Sequence, residues 1–199
     1  MKTSPVLTPK NKSRLLNEHV FYEIIFALGV SKHDAFDYCV WEHLNHSRMG
    51  HARALIYFFE KSNVKGLKNS KIWPDDLVSE DFNFPPKPIK LSKRDRNRLN
   101  KDLFHLSSKR LRHTAKSKPW PNTFLNRVHE RAVKFIRHIL SAKMERGVKI
   151  LESQWRALLN FLENGHELLI SSPSGSAWTL EKGHRLNSGL SELTTWSVK

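Results

Sequence analysis

The chain has 199 residues, a formal net charge of +15 and a single cysteine, Cys39. That length suits one domain with extensions and allows a sizeable core, while one thiol excludes a disulfide framework and fits a reducing compartment. The greasiest run, VFYEIIFALGV, is interrupted by Glu23 and is too short to cross roughly 30 Å of hydrocarbon, and MKTSPVLTPKNKSRLL has no apolar signal region, so the expectation is a cytoplasmic protein with no membrane partner.

Residues 1–12 hold two prolines and three lysines and are expected to form a flexible arm. Leu16, Val20 and Ile24, with Phe21, Ile25 and Leu28, recur at helical spacing and predict a first helix over 13–28, stopped by Gly29. Ser31 with Asp34 then offers a capping-box variant for a long second helix over 32–61, with Gly50 at its middle. In the connection that follows, Pro74 with Asp75 and Asp76 reads as a short helical turn, and FPPKP reads as extended chain. Ser92 with Asp95 opens a third helix that reaches Leu106, and KSKPWPN breaks the chain. A fourth helix over 121–144 has the cleanest apolar repeat: Phe124, Val128, Ala132, Phe135, Ile139, Ala142. A short fifth helix over 153–163 carries Trp155, Leu158, Leu159 and Leu162 and ends before Gly165. ELLISSPSGSAWTLE has the pattern of a small β-hairpin, and the Ser/Thr/Lys/Gly-rich remainder reads as a loose tail. The expected fold is an all-α bundle of four main helices plus a short fifth. Its expected organisation is an arm over 1–12, a bundle over 13–165 and an appendage over 166–199.

The charge is concentrated. Residues 87–120 hold twelve Lys or Arg against two acids, so +10 of the +15 lies in about one sixth of the chain. Such a concentration points to a polyanion, most often nucleic acid. At 100° per residue, Leu99, Leu103 and Leu106 form the buried stripe of the third helix, while Arg94, Arg98, Lys101, His105 and Lys109 form a stripe on roughly the opposite side. Arg112 extends the same basic run. The fourth helix repeats the pattern with Arg127, Arg131, Lys134 and His138, so that the two helices, packed as neighbours, would flank one groove. Cationic stripes of this kind can grip a phosphate backbone.

HARALIYFFE, then DDLVSEDF, then HLSSKR ahead of KPWP, resemble a set recurring in a bacterial subgroup of the HEPN-like class (higher eukaryotes and prokaryotes nucleotide-binding). The resemblance covers roughly residues 34–139. It implies a compact helical bundle, often dimeric, that acts on RNA as a metal-independent endoribonuclease of toxin–antitoxin or phage-defence type, with an antitoxin or other protein as a further partner. Other members of the class are non-catalytic modules that bind or scaffold. The class hallmark is an Arg followed after four to six residues by a His. Arg14/His19, Arg98/His105 and Arg131/His138 fit that spacing, and the acid-poor cationic context singles out Arg98 and His105 as the catalytic candidates. The 2′-OH of RNA would be the nucleophile, His105 would move a proton, and Arg98 would stabilise the charged phosphorane. The alternative is a non-catalytic basic helical module that holds nucleic acid or an acidic protein.

No cofactor and no metal are expected. His43 and His46 project away from His51, and Asp75, Asp76, Glu80 and Asp81 read as helix-start acids. No glycine pattern fits a phosphate-binding loop. RMGHARALIYFFE poses a separate question. Arg48 and His51 fall on the buried stripe of the second helix with Leu44, Leu55 and Phe59, whereas Arg53 points away. Two such side chains are costly to bury unpaired, so Arg48 and His51 are expected to meet acidic or carbonyl partners between helices, or to line an internal groove.

Overall fold

The computed structural model describes residues 8–29, 38–62, 76–102, 122–141, 144–164, 168–171, 177–182 and 194–198. Among the described residues, five helices make up the bundle. Helix α1 consists of an α-helical stretch Pro9–Arg14, a π-helical stretch Leu15–Val20 and an α-helical stretch Phe21–Leu28. Helix α2 is Tyr38–Glu60 and helix α3 is Lys93–Asn97 continued by a π-helical stretch Arg98–Asp102. Helices α4 and α5 are Asn122–Ser141 and Glu152–Asn164. Helix α1 packs along α2, α4 and α5, α2 also meets α3 and α4, and α4 meets α5.

Part of the expected N-terminal arm is helix. Thr8 is the N-cap, its hydroxyl accepting the Asn11 N–H at 3.2 Å, and Pro9 stands in the first turn, where its missing N–H costs nothing. The cap at Ser31 and the turn at Pro74 and Asp75 lie outside the described residues. A 3₁₀ turn, Ser79–Phe82, forms just after them. The Asp81 carboxylate accepts the Val78 N–H at 2.8 Å, and Asn83, at φ 58°, ends the turn in the left-handed conformation that Asn tolerates. Ser92 caps α3 by accepting the Asp95 N–H at 3.0 Å.

Phe135 of α4 sits at the centre of the core. Its ring meets Phe58 and Phe59 of α2 at 5.3 and 5.7 Å, Phe84 at 5.4 Å and Trp155 of α5 at 6.4 Å, all edge-on. Edge-to-face contacts of this kind add to the area each ring buries. The π-helical stretch of α1 carries a second anchor. Asn17 accepts both the Leu151 N–H and the Trp155 indole N–H at 3.0 Å, and donates to the Lys149 carbonyl at 3.0 Å. Ser13 accepts the Lys149 N–H at 2.8 Å, and Lys12 pairs with Glu145. The 144–151 connection is thereby strapped to α1, and Gly147 makes its turn at φ 92° with Pro9 where a Cβ would stand, 3.2 Å away.

Beyond the helices the backbone forms a three-stranded antiparallel sheet, β1 (Leu168–Ser171), β2 (Ala177–Lys182) and β3 (Thr194–Val198), in that order. Leu168 faces Leu180 across β1 and β2, and Trp178 faces Val198 across β2 and β3. The stretch expected to be a loose tail thus supplies β3. Among the described residues no helix is long and apolar enough to cross a membrane.

Candidate nucleic-acid interface

The segment Phe84–Leu91 carries three prolines and runs extended, because proline removes donors and fixes the backbone outside helical pairing. Its backbone is pinned from inside. The Lys87 N–H donates to the Phe59 carbonyl at 2.9 Å, and the Ile89 N–H donates to the Glu60 carboxylate at 2.6 Å. Arg96 closes the clamp, donating to both Glu60 oxygens at 2.7 and 2.8 Å and to the Ile89 carbonyl at 3.1 Å. Those bonds to Glu60 hold the Arg96 guanidinium above its ordinary pKa, against the opposing effect of its burial. Phe84 and Ile89 are buried by this arrangement, and Lys87 and Lys90 are left exposed on the outer edge. Lys93 and Arg94 continue the exposed edge into the first turn of α3.

The fourth helix divides its basic residues between two tasks. Arg131 lies over the Phe84 ring at 4.0 Å and donates to the Pro85 carbonyl, so it braces the extended segment; burial pushes its pKa down. His138 holds the Phe82 carbonyl through Nε2 at 3.0 Å and packs on Phe84 at 5.3 Å. Arg127 and Lys134, a turn before and a turn after Arg131, are exposed. The stripe predicted as a phosphate grip is therefore two structural braces and two outward cations.

Arg98 is placed differently from the sequence projection. It is only 6 % exposed, and its neighbour Leu99 is buried too, at 2 %. The projection put Arg98 on the outward cationic stripe by assuming 100° per residue throughout, and the π-helical turn that starts at Arg98 does not keep that step. Arg94 is exposed. The Lys101 side chain and residues His105, Lys109 and Arg112, with Leu103 and Leu106, lie outside the described residues.

Arg48 donates from Nε to the Ala27 carbonyl at 3.0 Å, near the end of α1, where carbonyls lack helical partners. Burial lowers its pKa to about 10. His51 Nδ1 donates to the Glu23 carboxylate at 3.0 Å, and Arg53 is exposed, its Nε 3.3 Å from the Asn100 side-chain oxygen. Sequence reasoning treated Glu23 only as the charge that interrupts an apolar run. That interruption marks where α1 offers a carboxylate to α2.

These elements enclose a groove of about 1100 Å³ between α2, α3 and the inner side of the extended segment. Glu23, Glu60 and Asp76 contribute acids to its walls, and Arg53, Lys61 and Arg96 contribute bases. Tyr57 donates to Asp76 at 2.5 Å inside it. Glu60 and Arg96 were not among the residues singled out from sequence. Among the described residues, no three His, Cys, Asp or Glu side chains are arranged to hold a metal ion. The chain matches no protein-family model, no curated protein and no solved structure with which it was compared.

Proposed function

We propose that the chain binds RNA in single-stranded form, gripping phosphates along the exposed edge of Lys87, Lys90, Lys93 and Arg94. The observation that carries this reading is the bracing of that edge. Residues 87–102 hold seven Lys or Arg against two Asp, and inward bonds at Lys87 and Ile89 fix the backbone so that its cations face outward. Lys93 and Arg94 also occupy the first turn of a helix, where positive charge opposes the helix dipole at a cost of about 0.3–1 kcal/mol each. Charges kept at such a position favour a role outside folding. Contacts to phosphate release counterions, so affinity for a labelled single-stranded RNA should fall steeply with salt. Replacing all four cations by Ala should weaken binding and flatten the slope of log affinity against log salt by about 0.7 per lost contact. Affinity and slope unchanged in that variant would reject the reading.

A second reading is favoured by Arg98. It is a cation held almost out of water on a π turn, a geometry often found at functional sites, next to groove-lining Leu99 and Asn100. In this reading the protein is a HEPN-like, metal-independent endoribonuclease of toxin–antitoxin or defence type, working with His105 and a second copy or a protein partner. Wild type should then cleave RNA in EDTA to a cyclic phosphate and a 5′-hydroxyl, spare DNA, and lose activity in His105→Ala. Equal activity in the variant would remove His105 from the chemistry.

A further inference from the structure

We propose that the cationic track for RNA continues past the extended segment onto helix α4, where Arg127 and Lys134 hold further phosphates of the same strand; this rests on the single-stranded RNA reading. Two bonds along α4 set the path. His138 holds the Phe82 carbonyl at 3.0 Å, and Arg131 donates to the Pro85 carbonyl. These two side chains are seven residues apart, two turns on one helix face, so the chain from Phe82 to Pro85 runs along α4 from His138 toward Arg131. Two residues on, the Lys87 N–H donates to the Phe59 carbonyl at 2.9 Å, and the Phe59 ring lies 5.9 Å from the Arg131 guanidinium. Lys87, the first cation of the exposed edge, therefore starts beside the middle of α4.

Arg127 and Lys134 bracket that junction. At about 100° per residue they fall on one flank of α4, roughly 40° and 60° round the axis from Arg131 and about 10 Å apart along it. Lys134 stands level with the stretch between the two bonded carbonyls, and Arg127 one turn beyond Pro85. Both side chains are exposed, whereas Arg131 is committed to Phe84 and Pro85, and Arg137 to Glu163 of α5 at 2.7 Å. A strand lying on Lys93, Lys90 and Lys87 thus meets a further pair of outward cations where the segment turns onto the helix. The same flank carries one acid. Glu130 is exposed, three residues after Arg127 and four before Lys134, so it neighbours both. A carboxylate there repels a phosphate chain, which makes it a reporter of whether a strand passes over this helix.

A labelled oligouridine of twelve nucleotides, titrated over a salt series, tests this. Arg127→Ala combined with Lys134→Ala should weaken binding roughly tenfold at about 0.1 M salt. It should also flatten the slope of log affinity against log salt by about 1.4, two contacts at about 0.7 each. Glu130→Gln should tighten binding roughly threefold by removing a like charge beside the phosphates. Arg146→Ala combined with Lys149→Ala takes the same charge from the exposed connection strapped to α1 and should leave the slope unchanged. All of these side chains are exposed, so thermal melts of the variants should match wild type. If the α4 pair binds no worse than the Arg146 and Lys149 pair while the four-cation variant has lost affinity, the RNA reading stands and the track on α4 falls. Wild-type affinity in Glu130→Gln would place the strand off this helix. If wild type binds no RNA, both readings fall.

Discussion

At the scale of single residues, the sharpest constraints lie where backbone and side chain leave no slack. Gly147 sits at φ 92° with Pro9 3.2 Å from the position of an added Cβ. Gly147→Ala should therefore lower stability by about 1–3 kcal/mol, read from the midpoint of urea unfolding, because both strain and the close approach must be absorbed. Asn17→Ala should cost about 1–3 kcal/mol, since it strands two donors that share its side-chain oxygen, Trp155 Nε1 and Leu151 N. Arg48 gives a prediction about pH. Its folded pKa, about 10, lies below the ordinary arginine value, so the folded chain releases that proton first and stability from this group rises only as pH climbs past about 10. Below that, both states hold the charge and the burial cost is constant. The stability difference between wild type and Arg48→Met, measured by denaturant melts, should thus stay flat from about pH 6 to pH 9. A sloping difference in that window would refute the assignment.

At the scale of elements, helix α4 separates braces from free cations. Arg131→Ala removes the stack on Phe84 and the bond to Pro85, and should destabilise by about 1–2 kcal/mol in thermal melts. Lys134→Ala and Arg127→Ala should change stability by less than about 0.5 kcal/mol. Periodicity alone made these residues look alike, because spacing reports which face a residue occupies and says nothing about what else packs on that face. The segment Phe82–Pro85, which uses Arg131 and His138, comes from a proline-rich connection with no repeat to read. The capping signals were more legible: Ser92 with Asp95 is local chemistry, complete within four residues. The projection of α3 misplaced Arg98 because nothing in RLNKD announces a π turn.

At the scale of the whole molecule, the helical bundle was legible since its apolar repeats, above all Phe124 to Ile139, meet the 3.6-residue period. The candidate interface was legible as charge and illegible as shape. Composition located the basic stretch, but the groove depends on Glu60 meeting Arg96, thirty-six residues away, and on Glu23 meeting His51 at a separation of twenty-eight. Neither pair has a local signature. The Glu60–Arg96 pair ties the cationic edge to the core, so Glu60→Ala should loosen the edge as a unit: amide exchange at Lys87 and Ile89 should speed up while that of Phe135 and Ile136 stays slow. Uniform acceleration across the bundle would instead show that the clamp holds up the whole fold.

The π-helical turn in α1 has a further consequence for how the chain tolerates changes in length. A π turn accommodates a residue beyond the α-helical count. Deleting one residue within Leu15–Val20 would let that helix relax to α geometry without breaking it, and would swing its Pro9–Arg14 end by roughly 100° about the axis. Phe21 to Ala27 would stay seated in the core, but Ser13 and Lys12 would part from Lys149 and Glu145. The extra residue acts as an angular spacer: it sets which way the start of the chain faces.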